Sequence, residues 1–260
     1  MSETVPGFCL GEGGERGVVV LVHGFTGSPW DLLPVGELLA EAGYEVSCRR
    51  LPGHGFPQVA EDNAWPAWLA EAQAGLDAAI ESAAGRRVAV AGLSMGALLT
   101  LQLARANADS IHAIANFAPA VELSTFNRLG IGLMGAFAAV GLGAIELPKG
   151  GVDSQDPEVQ KQHPGSNPFP FAAFGSFGQL REQTRAMVGE VSTPLLILHG
   201  ALDGTCPVAG SAWLAQAVGS SDVSRHILER SGHVITRDIQ IDELGEKLVA
   251  FLGRTLAGPA

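Results

Sequence analysis

Cysteine is scarce: Cys9, Cys48 and Cys206 are the only three in 260 residues. They are dispersed, odd in number and lack metal-ligand spacing. That pattern excludes a disulfide framework and a zinc site and leaves three reduced thiols. Charge is scarce as well. Only 17% of residues are charged, and 27 acids against 16 bases give a net charge of −11. Such a chain is repelled by phosphate backbones, which excludes nucleic acid as a partner, and it has no attraction to anionic lipid. The stretch Met1 to Pro6 has neither a basic n-region nor a long apolar h-region, so the cytoplasm is the expected location. Internal repeats and low-complexity tails are also lacking.

Apolar residues, by contrast, make up 47% of the chain, ample core for one α/β domain or one domain with an insertion. The segment from Leu129 to Leu147 is apolar except for Glu146, close to the roughly 20 residues that span a bilayer. Its five glycines, its mid-chain position and the lack of a basic flank beyond Arg128 point to a buried or lid helix, with no stable membrane insertion.

Strand and helix patterns alternate over most of the length. Gly17 to Val22 is a β-branched run suited to a strand buried on both faces. Ser28-Pro29 caps a helix that Gly43 stops. Further strands are expected over Tyr44–Arg50, Arg87–Ala91, Ala113–Phe117, Pro194–Leu198 and Ser224–Glu229. Helices are expected over Asn63–Ala84 with Asn63 as cap, Met95–Ala106, Pro207–Val218 and Arg237–Leu256. The order implies a mostly parallel sheet with helices on both faces. It breaks between Val121 and Val191, where the glycine-rich segment is followed by a Pro/Gly/Asn-rich passage, His163 to Pro170, with no convincing strand. The expected division is a core of residues 1–120 and 192–260 and a small cap of residues 121–191. Insertions of this kind leave the C-terminal edge of the sheet, where ligands bind.

The most chemical feature is Gly92-Leu93-Ser94-Met95-Gly96, set between a strand and a helix. There a G-x-S-x-G pentapeptide forms a nucleophile elbow. The turn strains the serine backbone, brings the residues two before and two after too close for side chains, and aims the hydroxyl at a helix N-terminus. A serine nucleophile needs a base, and the base an orienting acid. Of seven histidines, His233 follows the last expected strand on the rim that carries the elbow. His23 and His199 precede glycines at strand ends and read as supports of loop geometry. His112, His163 and His226 read as surface residues. Asp203, after the strand ending at Leu198, supplies an acid in the order serine, acid, histidine. Asp222 reads as a solvated turn, and Asp238 lies past the histidine. An oxyanion needs two preorganised N–H donors; Met95 offers one and Phe25, in the loop after the first strand, the other. His54 is a residue for the substrate side. Met134, Phe137 and Ile145, with other apolar residues of the insertion, line an acyl tunnel or pack the insertion's own core.

Together these segments resemble the α/β-hydrolase superfamily, and more closely its bacterial carboxylesterases and monoacylglycerol lipases. The matching pieces are His23 to Ser28, Leu51 to Gly55, Ala91 to Gly96, Leu198 to Asp203 and Ser231 to Thr236. The resemblance implies the α/β-hydrolase fold and hydrolysis of short- to medium-chain acyl esters, monoacylglycerols among them. It implies nucleophile Ser94, acid Asp203, base His233, donors Phe25 and Met95, and neither metal nor cofactor. Two departures stand out: Ala97 where many relatives have a second glycine, and Gly204-Thr205-Cys206-Pro207 in place of a bulky apolar turn. Other serine-triad reactions on the same fold stay open, namely thioesters, perhydrolysis and carbon–carbon bond cleavage. A non-catalytic ligand-binding role also stays open.

Overall fold

The computed structural model describes residues 7–55, 62–147, 151–163 and 168–257. The opening residues Met1 to Pro6, and the Pro164 to Asn167 part of the Pro/Gly/Asn-rich passage, lie outside them. Seven strands form one sheet: β1 (Gly7–Leu10), β2 (Val18–Val22), β3 (Glu45–Arg49), β4 (Val88–Leu93), β5 (Ile111–Phe117), and then, beyond the insertion, Leu195–Gly200 and Val223–Leu228. Within the insertion β6 (Glu146–Leu147) and β7 (Phe169–Pro170) make a separate antiparallel pair, so the two late strands are β8 and β9. The large sheet runs β1-β3-β2-β4-β5-β8-β9, parallel throughout except for the edge strand β1.

Period-two packing explains the continuous apolar strands. Val18, Val20 and Val22 face one layer, with Val88, Val90, Ile114, Leu195 and Ile197; Val19 and Leu21 face the other, with Ala89, Ala91, Ala113, Ala115, Leu196 and Leu198. Helices α1 (Leu33–Glu41) and α8 (Ile241–Leu256) cover the second face. Helices α2 (Trp65–Ala83), α3 (Met95–Ala106) and α7 (Val208–Ala217) cover the first.

The insertion lies between β5 and β8, neighbours in the sheet. It carries α4 (Thr125–Phe137), the six-residue α5 (Pro157–Gln162) and α6 (Phe171–Met187). It is more ordered than its sequence suggests. The reason is a close crossing of α4 and α6: a Cβ on Gly135 would lie 3.3 Å from the Gly175 Cα, and one on Gly178 3.3 Å from Ile131. Glycines that read as breakers are where two helices touch. Phe177 and Leu180 of α6 then continue into the core layer beside α3.

Two expectations are corrected here. No residue of α4 is buried, and Phe126, Leu129 and Leu133 are more than half exposed, so of the two readings of the apolar segment the buried helix is overturned and a helix on the surface of the insertion remains. The window from Thr125 to Leu142 is long and apolar enough to cross a membrane by length and composition alone. Asn63 does not cap α2; Ala64 holds that position, while Asn63 packs against Gly53.

One packing constraint positions the elbow. A Cβ on Gly96 would stand 2.0 Å from the Val22 carbonyl oxygen, and one on Gly92 2.3 Å from the Gly96 carbonyl carbon. Neither backbone atom can yield without shifting β2 or α3. Gly96→Ala is therefore expected to destabilise the fold by at least the roughly 1–3 kcal/mol of ordinary overpacking. Gly132→Ala, on the open side of α4, meets nothing within 4 Å and should be neutral or stabilising by up to about 1 kcal/mol. Urea denaturation of the two variants checks the contrast; equal midpoints contradict it.

Candidate active site

Ser94 joins β4 to α3 with φ 58° and ψ −110°, backbone space that L-residues seldom occupy. Its N–H donates to the Phe117 carbonyl (2.9 Å), and its own carbonyl accepts from the N–H groups of Ala97 (3.1 Å) and Ala120 (3.3 Å). Both backbone groups are therefore committed to holding the turn, and the side chain faces a cavity.

The loop after β2 lies directly over the elbow, with Gly24 so close that a Cβ would sit 3.3 Å from the Ser94 Cβ. Thr26 takes φ 60°, and the Gly27 N–H closes the turn onto the Gly24 carbonyl (3.1 Å). The loop is pinned from below by His23. Leu51 N–H donates to its Nε2 (3.0 Å), so Nδ1 carries the proton and donates to the Gly24 carbonyl (3.0 Å). It is pinned from the side by Phe25, whose ring stacks on Phe177 at 5.0 Å and meets Phe169 and Phe174 edge-on. Met95, first residue of α3, has its N–H at a helix N-terminus.

Asp203 and His233 come from the loops after β8 and β9. The Asp203 side chain is fully buried. Its Oδ1 accepts from the N–H groups of Thr205 (2.8 Å) and Cys206 (2.7 Å). Its Oδ2 accepts from His233 Nδ1 (2.8 Å) and from His199 Nε2 (3.0 Å). Burial pushes this carboxyl up, but the His233 charge, the two imidazole hydrogen bonds and the Cys206 N–H outweigh burial and hold Asp203 well below the usual carboxylate range. With its Nδ1–H given to a carboxylate, a neutral His233 keeps Nε2 as a bare acceptor, the arrangement a general base needs.

A cavity of about 660 Å³ opens over these groups. Ser94, His233 and Phe25 line it together with Ile131, Met134, Phe137, Phe171 and Phe174 of the insertion. Its volume and mainly apolar walls suit a small organic ligand. Met134 and Phe137 are thus at the expected wall. Two other residues are placed elsewhere. His54 is fully buried behind Phe25, with its ring edge-on to Phe25 and Trp68, because its loop folds inward. Ile145 is half exposed and does not line the cavity. Among the remaining histidines, His226 is exposed, but His163 packs its ring on Trp30 at 5.4 Å instead of lying free on the surface.

Four supporting contacts carry no signal, or a faint one, in the sequence. Asp153, in the insertion, accepts from Gly204 N–H (3.0 Å) and Thr205 Oγ1 (3.2 Å), and its carbonyl accepts from Val234 N–H (2.9 Å). It therefore ties the insertion to both the acid loop and the base loop. Asp238 accepts from Gly232 N–H (2.7 Å) and braces the turn before His233. His199 carried the signal of a strand-end histidine four residues before the acid. Burial, with the charges of Asp203 and Asp153, pushes the Cys206 thiol well above its usual range, against a smaller opposing effect of the Ser94 hydroxyl. Cys48 is likewise buried, whereas Cys9 is exposed. A disulfide-exchange titration of the native protein should therefore count one fast thiol, and three only after denaturation. Three fast thiols in the folded state contradict the burial of Cys206.

A family model described as serine aminopeptidase, S33, matches residues 13–240. The chain is 31% identical over 248 residues to the thermostable monoacylglycerol lipase of Bacillus sp. (strain H-257), covering 94% of this chain and 92% of that one. A solved structure of one of the metagenome-derived lipolytic enzymes LipS and LipT is similar at a TM-score of 0.85 and 25% identity, over 97% of this chain and 100% of that one. The Paleococcus ferrophilus monoacylglycerol lipase structure is similar in fold, with a TM-score of 0.81 and 24% identity over 98% and 100% of the two chains.

Proposed function

We propose that this chain, which belongs to the serine aminopeptidase S33 family of α/β-hydrolases and is a carboxylic ester hydrolase, works through Ser94, His233 and Asp203 on neutral esters with medium-length acyl groups. The observation that carries the reading is the Asp203–His233 pair, 2.8 Å apart, in the wall of the apolar cavity that also holds Ser94.

The reaction is two-step acyl transfer. His233 Nε2 takes the Ser94 hydroxyl proton as Oγ bonds to the ester carbonyl carbon. The carbonyl π electrons move onto oxygen, and the N–H groups of Phe25 and Met95 hold that oxyanion. The carbonyl re-forms, the bond to the alkoxy oxygen breaks, and His233 returns the proton to the departing alcohol. Water then repeats the sequence on the acyl-enzyme, releasing the acid and restoring Ser94. Asp203 keeps His233 in the required tautomer and stabilises its cation.

We read residues 121–191 as a cap over this core, with α4 and α6 setting the acyl side. Ile131, Met134, Phe137, Phe171 and Phe174 would take an alkyl chain. The lining carboxylates, Asp31 and Asp153, disfavour an anionic substrate, which leaves neutral esters such as monoacylglycerols, the substrates named for the Bacillus relative. The Thr125–Leu142 face is then cap surface and not a membrane span. Three free cysteines suit a soluble protein of a reducing compartment, and we assign it to the cytoplasm.

Ser94→Ala should abolish turnover of p-nitrophenyl esters while leaving the thermal melt intact; retained turnover in a folded variant overturns the assignment. Among p-nitrophenyl esters, kcat/KM should peak at medium acyl length, and Met134→Trp should shift the peak to shorter chains. Rates falling steadily from acetate onward contradict the tunnel.

A further inference from the structure

His199 is fully buried and lies outside the cavity lining. Its Nε2 stands 3.0 Å from Asp203 Oδ2 and 3.0 Å from the Cys206 carbonyl oxygen. Both partners are acceptors only, so Nε2 must carry a hydrogen. Its Nδ1, equally buried, meets no hydrogen-bond partner among the described residues, so none of them holds a hydrogen there. The geometry makes Nε2–H a standing donor, with its one hydrogen shared between the Asp203 carboxylate and the Cys206 carbonyl three residues further along the same loop. Two imidazoles therefore divide one carboxylate oxygen, since His233 Nδ1–H also ends on Oδ2.

From this sharing we infer that His199 is a positioning residue that pins the Asp203 carboxylate plane and tempers the charge it offers to His233. The inference rests on the triad reading above. With Oδ1 held by two backbone N–H groups and Oδ2 by two imidazoles, the carboxylate cannot rotate. Negative charge drawn toward His199 is unavailable to the His233 cation. The cation is the form that cannot accept the serine proton, so overstabilising it removes base from the neutral pH range. The other titratable and charged groups packed around the pair are Asp153 of the insertion, bonded to the Gly204–Thr205 turn, Asp238 beneath Gly232, the Cys206 thiol and, near Cys206, Arg181. None of them donates a hydrogen bond to Oδ2 among the described residues.

The test compares His199→Leu, which keeps approximate bulk and loses the donor, with His199→Gln, which restores an N–H. In the Leu variant the acidic limb of the kcat/KM–pH profile should move up by roughly one unit, the ten-fold change in proton affinity that one hydrogen bond to a charged group is worth. At pH values below the limb its kcat should fall about ten-fold with KM little changed, and the Gln variant should recover most of both. A Leu variant that is folded and active with its acidic limb unmoved overturns the inference, because a merely structural stitch alters stability and not the limb. Should the Leu variant fail to fold, ¹⁵N–¹H histidine spectra of the unmutated protein decide: the Nε2–H tautomer at His199 supports the inference, and the Nδ1–H tautomer overturns it. Asp203→Asn separates the two readings. Full activity in that variant sinks the triad itself, whereas an inactive Asp203→Asn beside normal His199 variants sinks only the role of His199.

Discussion

The contact between the start of α3 and the end of β2 leaves no room for a side chain. At Gly96 the helix backbone runs against the Val22 carbonyl, and at Gly92 the strand runs against Gly96. The chain can leave β4 and enter α3 only by a turn so tight that Ser94 sits at positive φ. Everything chemical follows from that crowding. The serine hydroxyl has nowhere to go but the cavity, the first N–H groups of α3 open beside it, and the loop after β2 closes over it within van der Waals contact. Strain of this kind persists only where the surroundings over-determine it, and two parallel strands, a helix and three backbone hydrogen bonds do so here.

Asp203 and His233 reach the same rim by a different device. β8 pairs with β5 and β9 with β8, both in parallel, so their outgoing loops emerge on the rim that carries the elbow. Parallel topology alone delivers Asp203 and His233 to within reach; hydrogen bonds then fix them. Asp203 is held by four donors, His233 by Asp203, and the flanking turns by Asp153 from the insertion and Asp238 from beneath. The insertion is consequently a wall of the cavity and also a tie on the loops that carry Asp203 and His233. Its α6 even shares the main core layer through Phe177 and Leu180.

Legibility in the sequence followed burial and periodicity. The strands β2, β4, β5 and β8 are buried on both faces and announce themselves as apolar runs. The G-x-S-x-G turn and the order Ser94, Asp203, His233 pointed to residues that the fold does assemble on one rim. Features resting on contacts between distant segments were silent. The α4–α6 crossing uses Gly135 and Gly175, which in a sequence suggest loops. Edge strand β1 has four residues and the β6–β7 pair two each, too short for alternation to register. His54 reads as a rim residue because glycines flank it, yet those glycines turn it inward beneath Phe25. Asp153 is one acid among many until its bonds to Gly204 and Thr205 are seen, and Asp238, which looked like a spare acid past the histidine, is the brace of its turn.

The central claim is that the crowding at Gly92 and Gly96 makes Ser94, and no other side chain, the nucleophile. The most direct test is reaction of the native protein with a fluorophosphonate, followed by intact-mass measurement and peptide mapping. The account predicts one adduct per chain, carried on Ser94 and lost on prior unfolding. An unmodified protein, or an adduct on another residue with Ser94 free, would contradict it.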